Sequence, residues 1–157
     1  MNHRNQNTKP LKTLNSQKVN MFVKGEPAGN TEYTEGKYPH SGITDRIIKS
    51  AIEVHKNLGP GFLENIYENA LILELKQQGL KVEDQKLIPI AYKGIFVGEH
   101  RVDLLIENEV IVENKTVKDF DDIHRAQLLS YLKATGKRVG LLLDFAKTKI
   151  DVKRIIL

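Results

Sequence analysis

Three strand-like runs, "KVEDQKLIPIAY" (81–92), "GEHRVDLLIEN" (98–108) and "EVIVENKTV" (109–117), follow one another with only short reversals between them. A fourth, "RVGLLLDF" (138–145), arrives only after a helical segment. That order constrains the fold more than any other feature of the chain. Reversals this short cannot carry a crossover, so 81–117 reads as an antiparallel meander. The helical segment "DFDDIHRAQLLSYLKATGK", from Asp119 to about Thr135, is long enough to return the chain over the sheet. It permits 138–145 to lie parallel to 109–117. "KIDVKRII" (149–156) adds a further strand at an edge.

Two helices precede the strands. Ile47, Ile48, Ala51, Val54, His55 and Leu58 fall at helical spacing, with Thr44 as N-cap and Gly59-Pro60 as the stop. A second helix starts near Phe62, takes Leu63, Ile66, Ala70, Leu71, Leu73 and Leu75 as its apolar positions, and ends at Gly79. The expected fold is α/β, with element order ααβββαββ and helices flanking a mixed sheet. Residues 41–157 form its one domain. Residues 1–40 show no apolar period and are expected to be a flexible polar and basic tail.

Charge and composition narrow the functional classes. The net charge of +4 is concentrated in the tail, where six Lys/Arg face three Asp/Glu; residues 41–157 carry eighteen against seventeen. The folded part is nearly neutral, so any cationic surface must come from clustering. Without cysteine there is no disulfide, thiolate metal site or thiol nucleophile. No P-loop, G-x-S-x-G or zinc-spaced Cys/His cluster is present. No run approaches the ~20 apolar residues of a membrane span, and the N-terminal segment lacks a secretory apolar core. A cytoplasmic protein without a membrane partner is expected.

The polar residues worth explaining sit where apolar ones should be. In "IVENKTV" (111–117), Glu113 and Lys115 lie on one face of a strand. If residues 106 and 110 pair across a loop at Glu107-Asn108-Glu109, Asp103 stands opposite Glu113, with Cβ atoms about 4.5–5.5 Å apart. A one-residue slip would send Asp103 to the other face. Two readings follow. The triplet is a solvated face with a cross-strand ion pair, or two crowded carboxylates hold a hard divalent cation, with Lys115 acting on a water or a phosphate. Gln127 and Tyr131 share one face of the third helix, off the apolar stripe of Phe120, Ile123 and Leu132. Glu64 and Tyr67 share a face of the second.

Gly61-x-x-Glu64-x-x-Tyr67, then Asp103, then Glu113-x-Lys115, then Gln127-x-x-x-Tyr131, taken in this order, resemble the GxxExxY family, a branch of the PD-(D/E)XK nuclease superfamily. The resemblance covers about 41–157. It implies a restriction-endonuclease-like core, with Asp103 and Glu113 binding Mg²⁺ (or Mn²⁺) together with the backbone carbonyl of Asn114. It implies that Glu64 serves as the helical acidic metal residue, that Lys115 positions or activates water, and that Gln127 and Tyr131 complete the catalytic set. The implied partner is nucleic acid, DNA rather than RNA, and a homodimer is compatible with it. The implied activity is metal-dependent phosphodiester hydrolysis. Two rivals keep the same residues: a non-catalytic nucleic-acid-binding module, and an assembly subunit. Val102 stands where the superfamily commonly has proline, and Asn114 where it has an apolar residue.

Overall fold

The computed structural model describes residues 21–22 and 38–157. Most of the expected tail therefore lies outside the described residues. Its Met21–Phe22 (β1) pairs in parallel with Val152–Lys153. The remaining elements are α1 (Ser41–Leu58), α2 (Glu64–Gln77), β2 (Val82–Tyr92), β3 (Ile95–Ile106), β4 (Val110–Lys115), α3 (Asp122–Thr135), β5 (Val139–Asp144) and β6 (Asp151–Ile156). The sheet order is β1-β6-β5-β4-β3-β2. β4 and β5 run parallel, joined through α3, and the β2–β3, β3–β4 and β5–β6 pairs are antiparallel. The sheet is mixed, flanked by helices, as expected.

Each face of the sheet carries its own core. Ile47, Ala51 and Val54 of α1 and Tyr67, Leu71 and Leu75 of α2 pack on Val110, Val112, Leu141 and Leu143. Leu128, Tyr131 and Leu132 of α3 pack on Leu105, Ile111 and Leu142 from the opposite side. Strand alternation therefore assigns the polar residues of β4. Ile111 faces α3, so Glu113 and Lys115 do too. Asn114 falls on the α1/α2 face. At Gly140 the absence of a side chain lets Leu128 sit against β5, since a Cβ there would come within 2.7–2.8 Å of three Leu128 carbons.

Turn chemistry fixes the hairpins. Lys93 (φ 50°) and Gly94 (φ 78°) close a two-residue loop between β2 and β3. Between β3 and β4 the loop has three residues: Glu107 and Asn108 (φ 53° and 54°) turn the chain, Glu109 N–H donates to Ile106 O, and Ile106 pairs with Val110. β3 begins at Ile95, earlier than the sequence pattern suggests, because the reversal at Lys93-Gly94 needs only two residues. It leaves Tyr92, Ile95, Phe96 and Val97 exposed at the ribbon tip.

Several local expectations are corrected. α1 starts at Ser41, so Thr44 is not a cap; its hydroxyl donates to Ser41 O and accepts from Arg154. α2 starts at Glu64 and ends in a Schellman turn. Gly79 at φ 75° donates to Lys76 O, and Leu80 donates to Leu75 O. Leu63, Ile66 and Leu73 are exposed, because the apolar residues of α2 do not keep to one face: Tyr67, Leu71 and Leu75 are buried in the core, with Ala70 and Ile72 packed beside them. α3 starts at Asp122, capped by Asp121, while Asp119 pairs with Lys147 at 3.1 Å. Ile123 is 73% exposed, whereas Tyr131 lies inside the core.

Candidate active site

The site forms where the sheet forks. β3 and β4 pair from Ile106–Val110 to Leu104–Val112, and the regular ladder stops there. Continued by one step, the register sets Asp103 opposite Glu113, as the loop length predicts. Side chains take over from the backbone ladder at that step. Asp103 N–H donates to Glu113 Oε1 (3.2 Å), and Asn114 N–H donates to Asp103 Oδ2 (2.8 Å). On the other side the β2 ladder skips the one step opposite Asp103. Lys86–Val102 and Asp84–Leu104 pair, but Gln85 between them has φ 49°. Val102 and Leu105 pack in the same cluster although three residues apart, so the alternation of β3 breaks at Asp103. Beyond this kink the β2–β3 ribbon departs alone.

Backbone direction follows from the same bonds. Asn114 N–H points towards Asp103, whereas Lys115 O accepts from Phe145 N–H on β5. In an extended strand the N–H and C=O of one residue lie on the same edge. The Asn114 carbonyl therefore also faces the Asp103 side, beside the two carboxylates. Its side chain is buried on the far face, with neither amide atom hydrogen-bonded.

The electrostatics are those of a crowded acidic pair. Burial, and then the neighbouring Asp103, push the Glu113 carboxyl up to about 8; Lys115, 3.5 Å away, opposes the shift. Burial likewise raises Asp103, against the Asn114 N–H and Lys115. Glu64, from the first turn of α2, is raised by burial and eased by Lys115 and a hydrogen bond from the Thr116 backbone. Tyr131 is raised by burial and by Glu113. Its hydroxyl accepts from Gln127 Nε2 (2.6 Å), and its ring meets His100 edge-on. Thus Asp103, Glu113 and Lys115 share the α3 face, Glu64 reaches them from α2, and Tyr131 stands within electrostatic range with Gln127 bonded to it.

An all-oxygen donor set that cannot fully ionise on its own fits a hard divalent cation. Among the described residues no three His, Asp or Glu side chains form a ready-made cation site. The fit therefore rests on the two carboxylates with the Asn114 carbonyl.

Tyr67, though in the motif, is not in the site. Its hydroxyl donates to Gly59 O (2.6 Å) and accepts from Phe62 N–H (3.1 Å), and its ring stacks on Phe145 at 4.6 Å. It fastens the turn that delivers Glu64. Three residues escaped the sequence reading. Glu68, one turn after Glu64, accepts from Gln85 Nε2 (2.6 Å) and has its carboxyl raised by burial. The E-x-x-x-E spacing was its signal. Asp144 pairs in register with Lys115 and accepts from Val117 and Ala146 N–H, holding the chain as it leaves β4. Its signal was a carboxylate ending an apolar strand. His124 is the third.

A family model described as the PD-(D/E)XK nuclease superfamily matches residues 41–155. The chain belongs to the PD-(D/E)XK nuclease superfamily. Its mixed sheet with flanking helices is the restriction-endonuclease-like fold, and superfamily membership supports nuclease activity in general. No curated protein matches it in sequence. Among solved structures, this superfamily member is similar to SSO0001, at 18% identity and TM-score 0.47, over 73% of this chain and 77% of that one. It is also similar to LHK-Exo in complex with dAMP, at 12% identity and TM-score 0.41, over 71% and 80% of the chains. A second structure, of an alkaline exonuclease (LHK-Exo) from Laribacter hongkongensis, gives 14% identity and TM-score 0.32 over 72% and 81%. Among the described residues no helix is long and apolar enough to cross a membrane.

Proposed function

We propose that the chain is a divalent-cation-dependent nuclease of the GxxExxY branch that hydrolyses phosphodiester bonds of DNA, with Mg²⁺ the working ion. The observation that carries this reading is the Asp103–Glu113 pair at the fork, Glu113 buried and Asp103 half-buried, each carboxylate bonded to the other's strand and Lys115 3.5 Å from Glu113. The solvated-face alternative requires these groups to meet water, and Glu113 is only 2% exposed.

Asp103, Glu113 and the Asn114 carbonyl would hold the ion, with Glu64 adding negative charge from the α2 side. When bound, a divalent cation supplies Lewis acidity towards the phosphoryl oxygens and offsets the charge of the crowded carboxylates. Lys115, held on the same face by Glu113, orients the attacking water and meets charge that develops on the phosphoryl group. Tyr131 and Gln127, locked by their mutual hydrogen bond, offer polar contacts from α3 without having to be ordered first. Asp103 and Glu113 keep their positions through backbone N–H groups, so the geometry exists before substrate arrives.

The test is cleavage of labelled single-stranded, duplex and branched DNA and of RNA, with Mg²⁺ or Mn²⁺, by wild type and Lys115→Ala. Loss of a well-placed transition-state charge is expected to lower kcat by about 10²–10³. DNA affinity should stay within a few-fold, since one cation among several contributes little to binding. Wild type that binds but never cuts would make this a non-catalytic module. Wild type that does neither would make it an assembly subunit.

A further inference from the structure

The first turn of α3 carries an imidazole that the proposed chemistry does not use. His124 precedes Gln127 by three residues and Tyr131 by seven, so all three project from one face of the helix. It lies close enough to Glu64 to act electrostatically on that carboxyl, which places it on the same side as the carboxylate pair. Its side chain remains 17% exposed, unlike the buried Tyr131 below it.

The ring is held in place. Asp121 N–H donates to Nδ1 at 3.2 Å, while Asp121 Oδ1 accepts from the His124 and Ile123 backbone N–H groups. A neutral imidazole that accepts at Nδ1 carries its proton on Nε2. Nδ1 also lies 3.1 Å from Asp121 Oδ1, so the cap occupies the Nδ1 edge of the ring; with Asp121 N–H donating there, Nε2, turned away from the cap, carries the proton.

Acceptors outnumber cations at the site. Among the described residues, Glu64, Glu68, Asp103 and Glu113 converge on it beside the Lys115 ammonium, and one Gln127 amide N–H is taken by Tyr131. A nucleic-acid strand brings phosphates on both sides of the one cleaved, and such contacts set its register on the protein. We propose that His124 Nε2–H is a contact for a backbone phosphate adjacent to the scissile one and positions the strand over Asp103 and Glu113. This inference rests on the nuclease reading and deepens it.

The competing role is purely structural, since His124 completes the capping box of α3. Glutamate and glutamine both complete a capping box at this position, but they offer a phosphate opposite things: glutamine an amide donor, glutamate an anion. His124→Gln and His124→Glu should therefore melt like wild type by circular dichroism and part company in substrate handling. KM for Mg²⁺-dependent cleavage, and Kd for a fluorescein-labelled DNA oligonucleotide with EDTA present, should rise about tenfold or more in His124→Glu. Both should stay within about threefold of wild type in His124→Gln, because an amide still donates. Equal KM and Kd in His124→Glu and wild type would overturn the inference while leaving the nuclease reading intact. So would equal losses in both variants that follow a fall in melting temperature. Wild type that neither binds nor cuts would defeat the nuclease reading, and this contact with it.

Discussion

Replacing Glu113 by glutamine should make the cation-free protein more stable, and increasingly so as pH rises. The Glu113 carboxyl sits at about 8 instead of 4.5, raised by burial and by Asp103. Below pH 4.5 it is protonated in both the native and the unfolded chain, and it contributes no pH dependence. Between 4.5 and about 8 the unfolded chain releases the proton while the native state keeps it, so stability falls as pH rises. Above about 8 both states are ionised and the loss levels off. At ~1.4 kcal/mol per pH unit of displacement, the full penalty is on the order of 5 kcal/mol. Glutamine keeps the shape and never ionises. Urea unfolding in EDTA from pH 4.5 to 9 should therefore show the two proteins within about 1 kcal/mol at the acid end and about 3 kcal/mol or more apart at pH 8. Asp103, raised for the same reason, adds to the wild-type slope in the same sense. Millimolar Mg²⁺ at pH 8 should then raise the wild-type melting temperature by mass action and leave Glu113→Gln nearly unmoved. A stability gap that does not change with pH would refute the buried-pair electrostatics. An unmoved wild type in Mg²⁺ would refute the pair as a cation site.

The same ionisation should appear in turnover: at sub-saturating Mg²⁺, cleavage rates should climb as pH rises through about 8, and saturating Mg²⁺ should move that rise to lower pH. Tyr67→Phe removes bonds to Gly59 O and Phe62 N–H, and should lose about 1–3 kcal/mol in urea unfolding with kcat unchanged. Asn114→Val relieves a buried amide without partners behind the site, and should gain about 1–3 kcal/mol, read from the urea midpoint. Gly140→Ala crowds Leu128 and should lose about 1–3 kcal/mol and lower kcat, because α3 carries Gln127 and Tyr131; adding Leu128→Ala should restore kcat ahead of stability.

Much of this architecture was legible because it rests on short-range rules. A loop of fixed length between two alternating runs sets the register, and register alone puts Asp103 across from Glu113. The Gly59-Pro60-Gly61 stop and Gly79 bounded α2 for equally local reasons. What stayed hidden depends on contacts distant in sequence. The apolar residues of α2 fall on more than one face, so periodicity could not say that Tyr67, Leu71 and Leu75 face inward while Leu63, Ile66 and Leu73 do not. Ile123 looked like core, but the depth of α3 is decided by Leu128 against Gly140. Glu68 matters only because β2 kinks at Gln85, and a positive φ at a glutamine leaves no pattern. His124 reads as an ordinary N-terminal helix residue until Glu64 arrives from another helix.

The separation of roles within Gly61-x-x-Glu64-x-x-Tyr67 bears on how sequence signatures should be used to sort chains of this kind. Glu64 looks into the site, whereas Tyr67 is bonded to Gly59 and Phe62 with its back to the chemistry. Selection for a sound turn would preserve the tyrosine even in a chain that had lost Lys115 and every trace of turnover. On the proposed nuclease reading, two of the signature's three letters report foldedness and one reports competence. A screen built on that reading is keyed to Glu64, Asp103, Glu113 and Lys115 together. Degenerate copies would pass a filter built on the turn, and diverged but active ones that fasten it differently would fail.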